Sequence, residues 1–233
     1  MDTLCDKIRL IKENMNMEYS DVPEGFFFKD KTRFNSTIFS LISLMKKAYS
    51  ENDFNTYVSN MVMIFYYLLD RLVEQGIYPD SILELMIYDD LQKIWKDGTL
   101  HYDCGKIVNP PDYVSISSDI DKEILSMKEG HYKKGNMTIT DYYNKILHYY
   151  DLIHTKCNDT PSFLSSDQFS KYYNKISNGL ESYLLCDYVE EEAEELIGLL
   201  YRTLKFFTKM GINPQKYINE LIDKMSKKKS KKM

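Results

Sequence analysis

The feature that most limits the fold of this chain is a short element written twice, Gly76-Ile77-Tyr78-Pro79 and Gly211-Ile212-Asn213-Pro214. Glycine suits the left-handed residue that ends a helix, and a proline three residues later opens the next one, where its missing N–H is no loss. Before each glycine lies an apolar stretch, Tyr57 to Glu74 and Glu190 to Lys209, long enough at about 1.5 Å per residue to cross a small domain as a helix. The first is apolar nearly all round (Met61, Val62, Met63, Ile64, Phe65, Leu68, Leu69), which predicts a central helix covered by its neighbours. Other anchors recur in the same order. Lys7-Ile8 returns as Lys145-Ile146, Asp21-Val22-Pro23 as Asp159-Thr160-Pro161 and Tyr66 as Tyr201, the shift falling from 138 to 135 with three residues lost on the way. Self-similarity at a nearly fixed shift marks a supersecondary unit copied in tandem.

Nine Gly and six Pro in 233 residues are too few for a chain of many short strands, which needs a turn every ~8–12 residues. The expected fold class is therefore all-α: two tandem, diverged helical-bundle repeats with a loop-rich appendage after the first. In that appendage Lys96-Asp97-Gly98, Asp103-Cys104-Gly105-Lys106 and Asn109-Pro110-Pro111-Asp112-Tyr113 are successive turn signals. Thr99 to Tyr102 and Lys106 to Val108 could pair as a short hairpin, and Ile116 to Glu129 reads as a linker helix. The expected divisions are repeat one at 1–115, a linker at 116–137, repeat two at 138–225 and a basic tail at 226–233.

The net charge of −5 conceals a more acidic body, because Lys224, Lys227, Lys228, Lys229, Lys231 and Lys232 crowd the C-terminus. An acidic body argues against extended nucleic-acid contact. The longest apolar stretches fall well short of the ~20 residues a bilayer requires, and four cysteines without a CxxC pair point to neither zinc nor a disulfide framework. No membrane association and a reducing, cytoplasmic setting are expected.

The run Asp90-Leu91-Gln92-Lys93-Ile94-Trp95-Lys96-Asp97-Gly98, with His101-Tyr102, Gly105-Lys106-Ile107-Val108 and Pro110-Pro111-Asp112-Tyr113 after it, resembles the C-terminal segment of the phosphoribosyl-ATP pyrophosphohydrolase-like proteins, relatives of MazG and the dimeric dUTPases. Glu194 to Tyr201 looks like that family's second core helix. The resemblance implies an all-α nucleoside triphosphate pyrophosphatase fold in which acids on two helices, written Glu-Glu-x-x-Glu and Glu-x-x-Asp, hold Mg2+ at the phosphates. Such proteins assemble as dimers or tetramers with sites between subunits. A fused pair supplies that interface internally, so a monomer or homodimer is expected.

The chain departs from this pattern where the chemistry lies. Ser36 to Ser50, in place of the first acidic helix of repeat one, contains no Asp or Glu; Asn60 and Met63 stand where its partner acids should be. In repeat two the first motif falls near Lys175 to Gly179, with Glu181 the nearest acid, and the second becomes Glu195-x-x-Gly198. The favoured expectation is thus a degenerate member that binds a nucleotide or nucleotide-derived signal, sensing or sequestering it without hydrolysis and without a catalytic residue or cofactor. Its candidate ligand residues are Lys93 and Lys106 for phosphate charge, Trp95 and Tyr113 for stacking, Asp90 as acceptor, and Arg33 ahead of the first core helix.

Two alternatives stay open. An active Mg2+-dependent pyrophosphatase could use re-sited acids, Glu191, Glu194 and Glu195, which share a helix face, with Glu181 or Asp187 opposite; the plainer reading of these glutamates is a helix first turn favoured by the dipole. A protein-interaction scaffold with no small-molecule ligand would instead use Tyr142-Tyr143, Tyr149-Tyr150 and Tyr172-Tyr173 as its surface. Adjacent residues on a helix point ~100° apart, so one of each pair would be core.

Overall fold

The computed structural model describes residues 3–18, 31–96, 117–131 and 135–230. Among them the chain forms nine α-helices: α1 (Leu4–Glu18), α2 (Lys31–Ser50), α3 (Phe54–Glu74), α4 (Asp80–Lys96), α5 (Ser117–Lys128), α6 (Ile139–Leu152), α7 (Ser166–Leu185), α8 (Val189–Lys209) and α9 (Pro214–Ser230). The all-α expectation holds, and none of the described helices is long and apolar enough to cross a membrane. The linker helix is α5. The expected hairpin lies outside the described residues, and α9 runs on to Ser230, into the segment read as a tail.

Several helices begin where local chemistry provides a start. Thr138 and Asp141 form a reciprocal capping box before α6, as do Ser165 and Gln168 before α7, each supplying partners to N–H groups that a helix leaves open. Thr3 and Asp6 make the same exchange at α1, and a lone antiparallel bridge joins Thr3 to Thr138. The Gly-Ile-x-Pro elements do what their residues predict. The Ile77 N–H donates to the Leu72 carbonyl and the Gly76 N–H to that of Val73; Ile212 and Gly211 repeat this with Phe207 and Thr208. Both glycines are left-handed, at φ +73° and +69°. These are Schellman closures, sealed by the buried Ile77 and Ile212. Pro214 opens α9, while Pro79 stands one residue ahead of α4.

Helices α1 to α4 and α6 to α9 follow one another with nearly matching lengths, 15, 20, 21 and 17 residues against 14, 20, 21 and 17. Leu4 and Ile139, Lys31 and Ser166, and Phe54 and Val189 open their helices 135 residues apart, so the larger shift read from Lys7-Ile8 is not needed. α3 and α8 cross at the centre, where each buries thirteen residues. Around them α1 packs on α9 and α4 on α6, each uniting the first half with the second, and one hydrophobic cluster runs through both halves.

Asp80 is a junction in this arrangement. It is fully buried, its Oδ1 accepts the Cys5 N–H of α1 at 3.2 Å, and its carbonyl accepts the Tyr142 hydroxyl of α6 at 3.1 Å. Burial raises its carboxyl to about 7, and does the same to that of Asp70 in α3. A folded-state value above the unfolded one means that the native state holds protons more tightly, so this stability is complete below about pH 4 and is lost as pH rises through 7. We therefore expect melting temperature to fall between pH 5 and pH 8. Asp70→Asn should flatten the fall and add on the order of 1–3 kcal/mol at pH 8; an unchanged pH profile would refute the assignment. Chemical denaturation should also separate the two closing glycines. Gly76→Ala meets open space and should cost about 1–2 kcal/mol for its left-handed backbone alone, whereas Gly211→Ala should cost more, because its Cβ would stand 2.3 Å from the Asn158 carbonyl oxygen.

Candidate functional site

The α7–α8 hairpin carries the same pattern on both arms, Gln168-x-x-Lys171-Tyr172-x-x-Lys175 and Arg202-x-x-Lys205-Phe206-x-x-Lys209. Positions i, i+3, i+4 and i+7 share one helical face, and the short turn between the helices makes them antiparallel, so the two faces meet. Their close approach depends on a small residue. A Cβ at Gly179 would lie 2.6 Å from Leu199 Cδ2 and 2.7 Å from Arg202 Nη1, so the Arg202 guanidinium occupies the space a side chain would fill.

The result is a trench of about 120 Å³ lined by these eight residues and Tyr150 of α6. Its floor is the Tyr172–Phe206 pair, stacked with ring centroids 3.6 Å apart and planes 18° from parallel, and both rings are buried. Five cationic side chains line it. Lys171 has Asp167 at 2.7 Å, an exposed pair, and Lys205 is bonded to Asp90 of α4; among the described residues Lys175, Arg202 and Lys209 make no ion pair. Aromatic faces offset part of this charge: the Lys205 ammonium is 4.5 Å from the Tyr201 ring centroid and 4.8 Å from that of Tyr149, and Lys209 is 5.0 Å from that of Tyr150. Desolvation holds the Lys209 ammonium below its ordinary value, and Lys175, then Lys205 and Lys171, push it the same way, with Cys157 opposing them. In a chain of net charge −5, this is a concentrated positive field in a concave, partly desolvated place, which favours an anion.

Of the residues singled out from the sequence, the structure brings Asp90 to the trench edge, where it accepts the Tyr201 hydroxyl at 2.7 Å as well as Lys205. Burial and the neighbouring Asp90 keep that hydroxyl protonated. Arg33 is elsewhere. It lies in the first turn of α2, near Asn35, whose Nδ2 donates to the Leu180 carbonyl, twelve residues or about 18 Å along α7 from Gln168. Lys93 and Trp95 lie on α4, with side chains outside the described residues, as are Lys106 and Tyr113 entirely.

The acidic block has other work. Glu190 bonds Lys128; Glu192 is nearly buried and accepts Lys31 at 2.6 Å and Gln75 at 2.7 Å; Glu191 accepts the Asp187 N–H at 3.4 Å. Burial raises the Glu194 carboxyl, helped by Asp121 of α5, Glu195 and Glu191. Of the acids expected opposite, Asp187 thus does lie beside Glu191, while α5 adds Asp121 next to Glu194. Among the described residues no three acids, histidines or cysteines converge closely enough to hold a metal ion. The tyrosine pairs divide as helical geometry requires, with Tyr142, Tyr150 and Tyr172 buried and Tyr143, Tyr149 and Tyr173 half-buried.

Sequence reasoning did not find the five cations, although a signal exists: Lys171-Tyr172-Tyr173-x-Lys175 and Lys205-Phe206-Phe207-x-Lys209 are the same phrase. A cluster of like charges is a strain until an anion fills it. Lys209→Met should therefore stabilise the ligand-free protein at low ionic strength, by up to about 1 kcal/mol once solvent screening is allowed for, and the gain should shrink as salt is added. Thermal melts of both proteins across a salt series check this; equal melting at low salt would show that Lys209 feels no net repulsion.

Compared with protein-family models, curated proteins and solved structures, the chain matches none.

Proposed function

We propose that this protein binds the phosphate end of a nucleotide or nucleotide-derived signal and holds it without hydrolysis, as a degenerate relative of the pyrophosphatase-like helical proteins built from two copies of one four-helix unit. The observation that carries the reading is the α7–α8 trench, where three of five cations lack an acidic partner among the described residues. Arginine and lysine around a concave site are the usual means of holding phosphate. The matched order, lengths and Schellman closures of α1–α4 and α6–α9 support duplication, and the interleaving of α1 with α9 and of α4 with α6 supports a pairing of halves inside one chain.

Hydrolysis is left out because a metal-dependent pyrophosphatase needs acids from two helices around one point. Glu191, Glu194 and Glu195 sit at the start of α8, whereas the trench lies toward its other end. A scaffold role has one observation of its own: at the α7–α8 turn Leu185 is 80% and Tyr188 67% exposed, flanked by the exposed Leu184 and Val189, an apolar surface of the kind partners cover.

The test is a melting screen of the full chain against nucleotides, cyclic dinucleotides and ADP-ribose derivatives, with and without Mg2+, each hit then being checked by chromatography for intact ligand. Saturation at one hundred times Kd should add about 2.7 kcal/mol. A shift with ligand recovered whole supports the binder. Released pyrophosphate would move attention to Glu191, Glu194 and Glu195, and no shift with any compound would favour the scaffold.

A further inference from the structure

We propose that the α7–α8 trench takes a linear oligophosphate lengthwise, with the side chains in place of a divalent metal. This rests on the reading above for the location of the site, but not for the presence of a base.

Shape is the first argument. Arg202, Lys205 and Lys209 follow one another along α8 over a rise of about 10 Å, and Lys171 and Lys175 face them along about 6 Å of α7. A single phosphate group would reach only one end of this double row, whereas a chain of three or more could touch both. The trench volume of 120 Å³ is well under the ~300–1,000 Å³ of pockets that enclose whole small molecules. The Tyr172 and Phe206 rings are stacked on each other, and the Tyr150 ring has Lys209 near its centroid. The trench is therefore built for a slender charged chain, and any base or sugar attached to it lies outside.

Charge is the second argument. Three cations lack an acidic partner among the described residues, while one phosphoryl group carries about −1.5 to −2 at neutral pH. Matching the trench takes more than one phosphate. A divalent cation has no place in it: the carboxylate at its edge, Asp90, is already held by Tyr201 and Lys205. Mg2+ that coordinates the phosphates in solution adds positive charge to a site that is already positive, so it competes with the protein for the ligand. The chemistry is shared by the tail of a nucleoside polyphosphate and by inorganic polyphosphate.

The test is calorimetric titration of the full chain with orthophosphate, pyrophosphate, tripolyphosphate and a nucleoside mono-, di- and triphosphate, in a chelating buffer and again in excess Mg2+. Affinity should rise with each added phosphate, by about tenfold or more from one to three, and excess Mg2+ should weaken it. Lys175→Met and Lys209→Met should each lose about tenfold for tripolyphosphate, while Lys122→Gln on α5 is unchanged; melting curves establish that all three variants fold. Equal affinity for one and three phosphates, a requirement for Mg2+, or unchanged binding by both trench variants would overturn the proposal. The arms separate the two readings. A nucleoside monophosphate bound as tightly as the triphosphate, with tripolyphosphate ignored, overturns the oligophosphate and leaves the nucleotide reading standing. Tripolyphosphate bound as well as or better than the nucleoside triphosphate supports the oligophosphate and removes the need for a nucleotide.

Discussion

The crossing of α3 and α8 is the contact on which the rest of the molecule depends. Phe65 and Phe207 meet there edge to face, with centroids 6.3 Å apart, and both are fully buried. Each large apolar side chain removed from water contributes about 1.5–3 kcal/mol, and a second edge-to-face pair across the halves, Phe34 of α2 and Tyr183 of α7 with centroids 5.5 Å apart, is buried as deeply. Polar ties reinforce the crossing at one end: Arg71 of α3 donates to the Tyr183 hydroxyl at 2.8 Å, and Glu192 of α8 receives Lys31 and Gln75 from the first half. With α3 and α8 locked, the flanking helices have only a few places to lie.

That frame treats its two halves differently. At the places in α2 and α3 that match the trench residues of α7 and α8 stand Arg33, Ser36, Thr37 and Ser40, then Tyr67, Asp70, Arg71 and Glu74. Where α8 offers Lys205 and Lys209, α3 offers Asp70 and Glu74. The positive trench is thus a property of the second half alone, although Asp90 reaches it from α4 of the first. The charge also sits at a different depth, for Asp70 and Arg71 are buried while Lys171 and Lys175 are exposed.

Much of the architecture was legible in the sequence. The Gly-Ile-x-Pro elements, the apolar run of α3 and the linker helix α5 are local: a left-handed glycine and a 3.6-residue period each act within a few residues of chain. The candidate site was far less so. Lys93, Trp95, Lys106 and Tyr113 were chosen through a family likeness, and their side chains fall outside the described residues, while Arg33 and Asp90 prove to belong to different ends of the bundle. The five trench cations escaped notice because a lysine every third or fourth residue is also what a solvated helix face looks like.

The sequence by itself determined the all-α class and the two Gly-Ile-x-Pro helix closures, because those depend on short-range stereochemistry and on which side chains leave water. Only the tertiary structure decided that Lys171 and Lys175 lie across from Arg202, Lys205 and Lys209, that Gly179 lets the Arg202 guanidinium lie between the helices, and that Asp90 reaches over from the other half. These depend on the rotation of one helix against another, set by how the buried faces interlock. A periodic pattern states that a face is buried or exposed, not which face of which neighbour it meets.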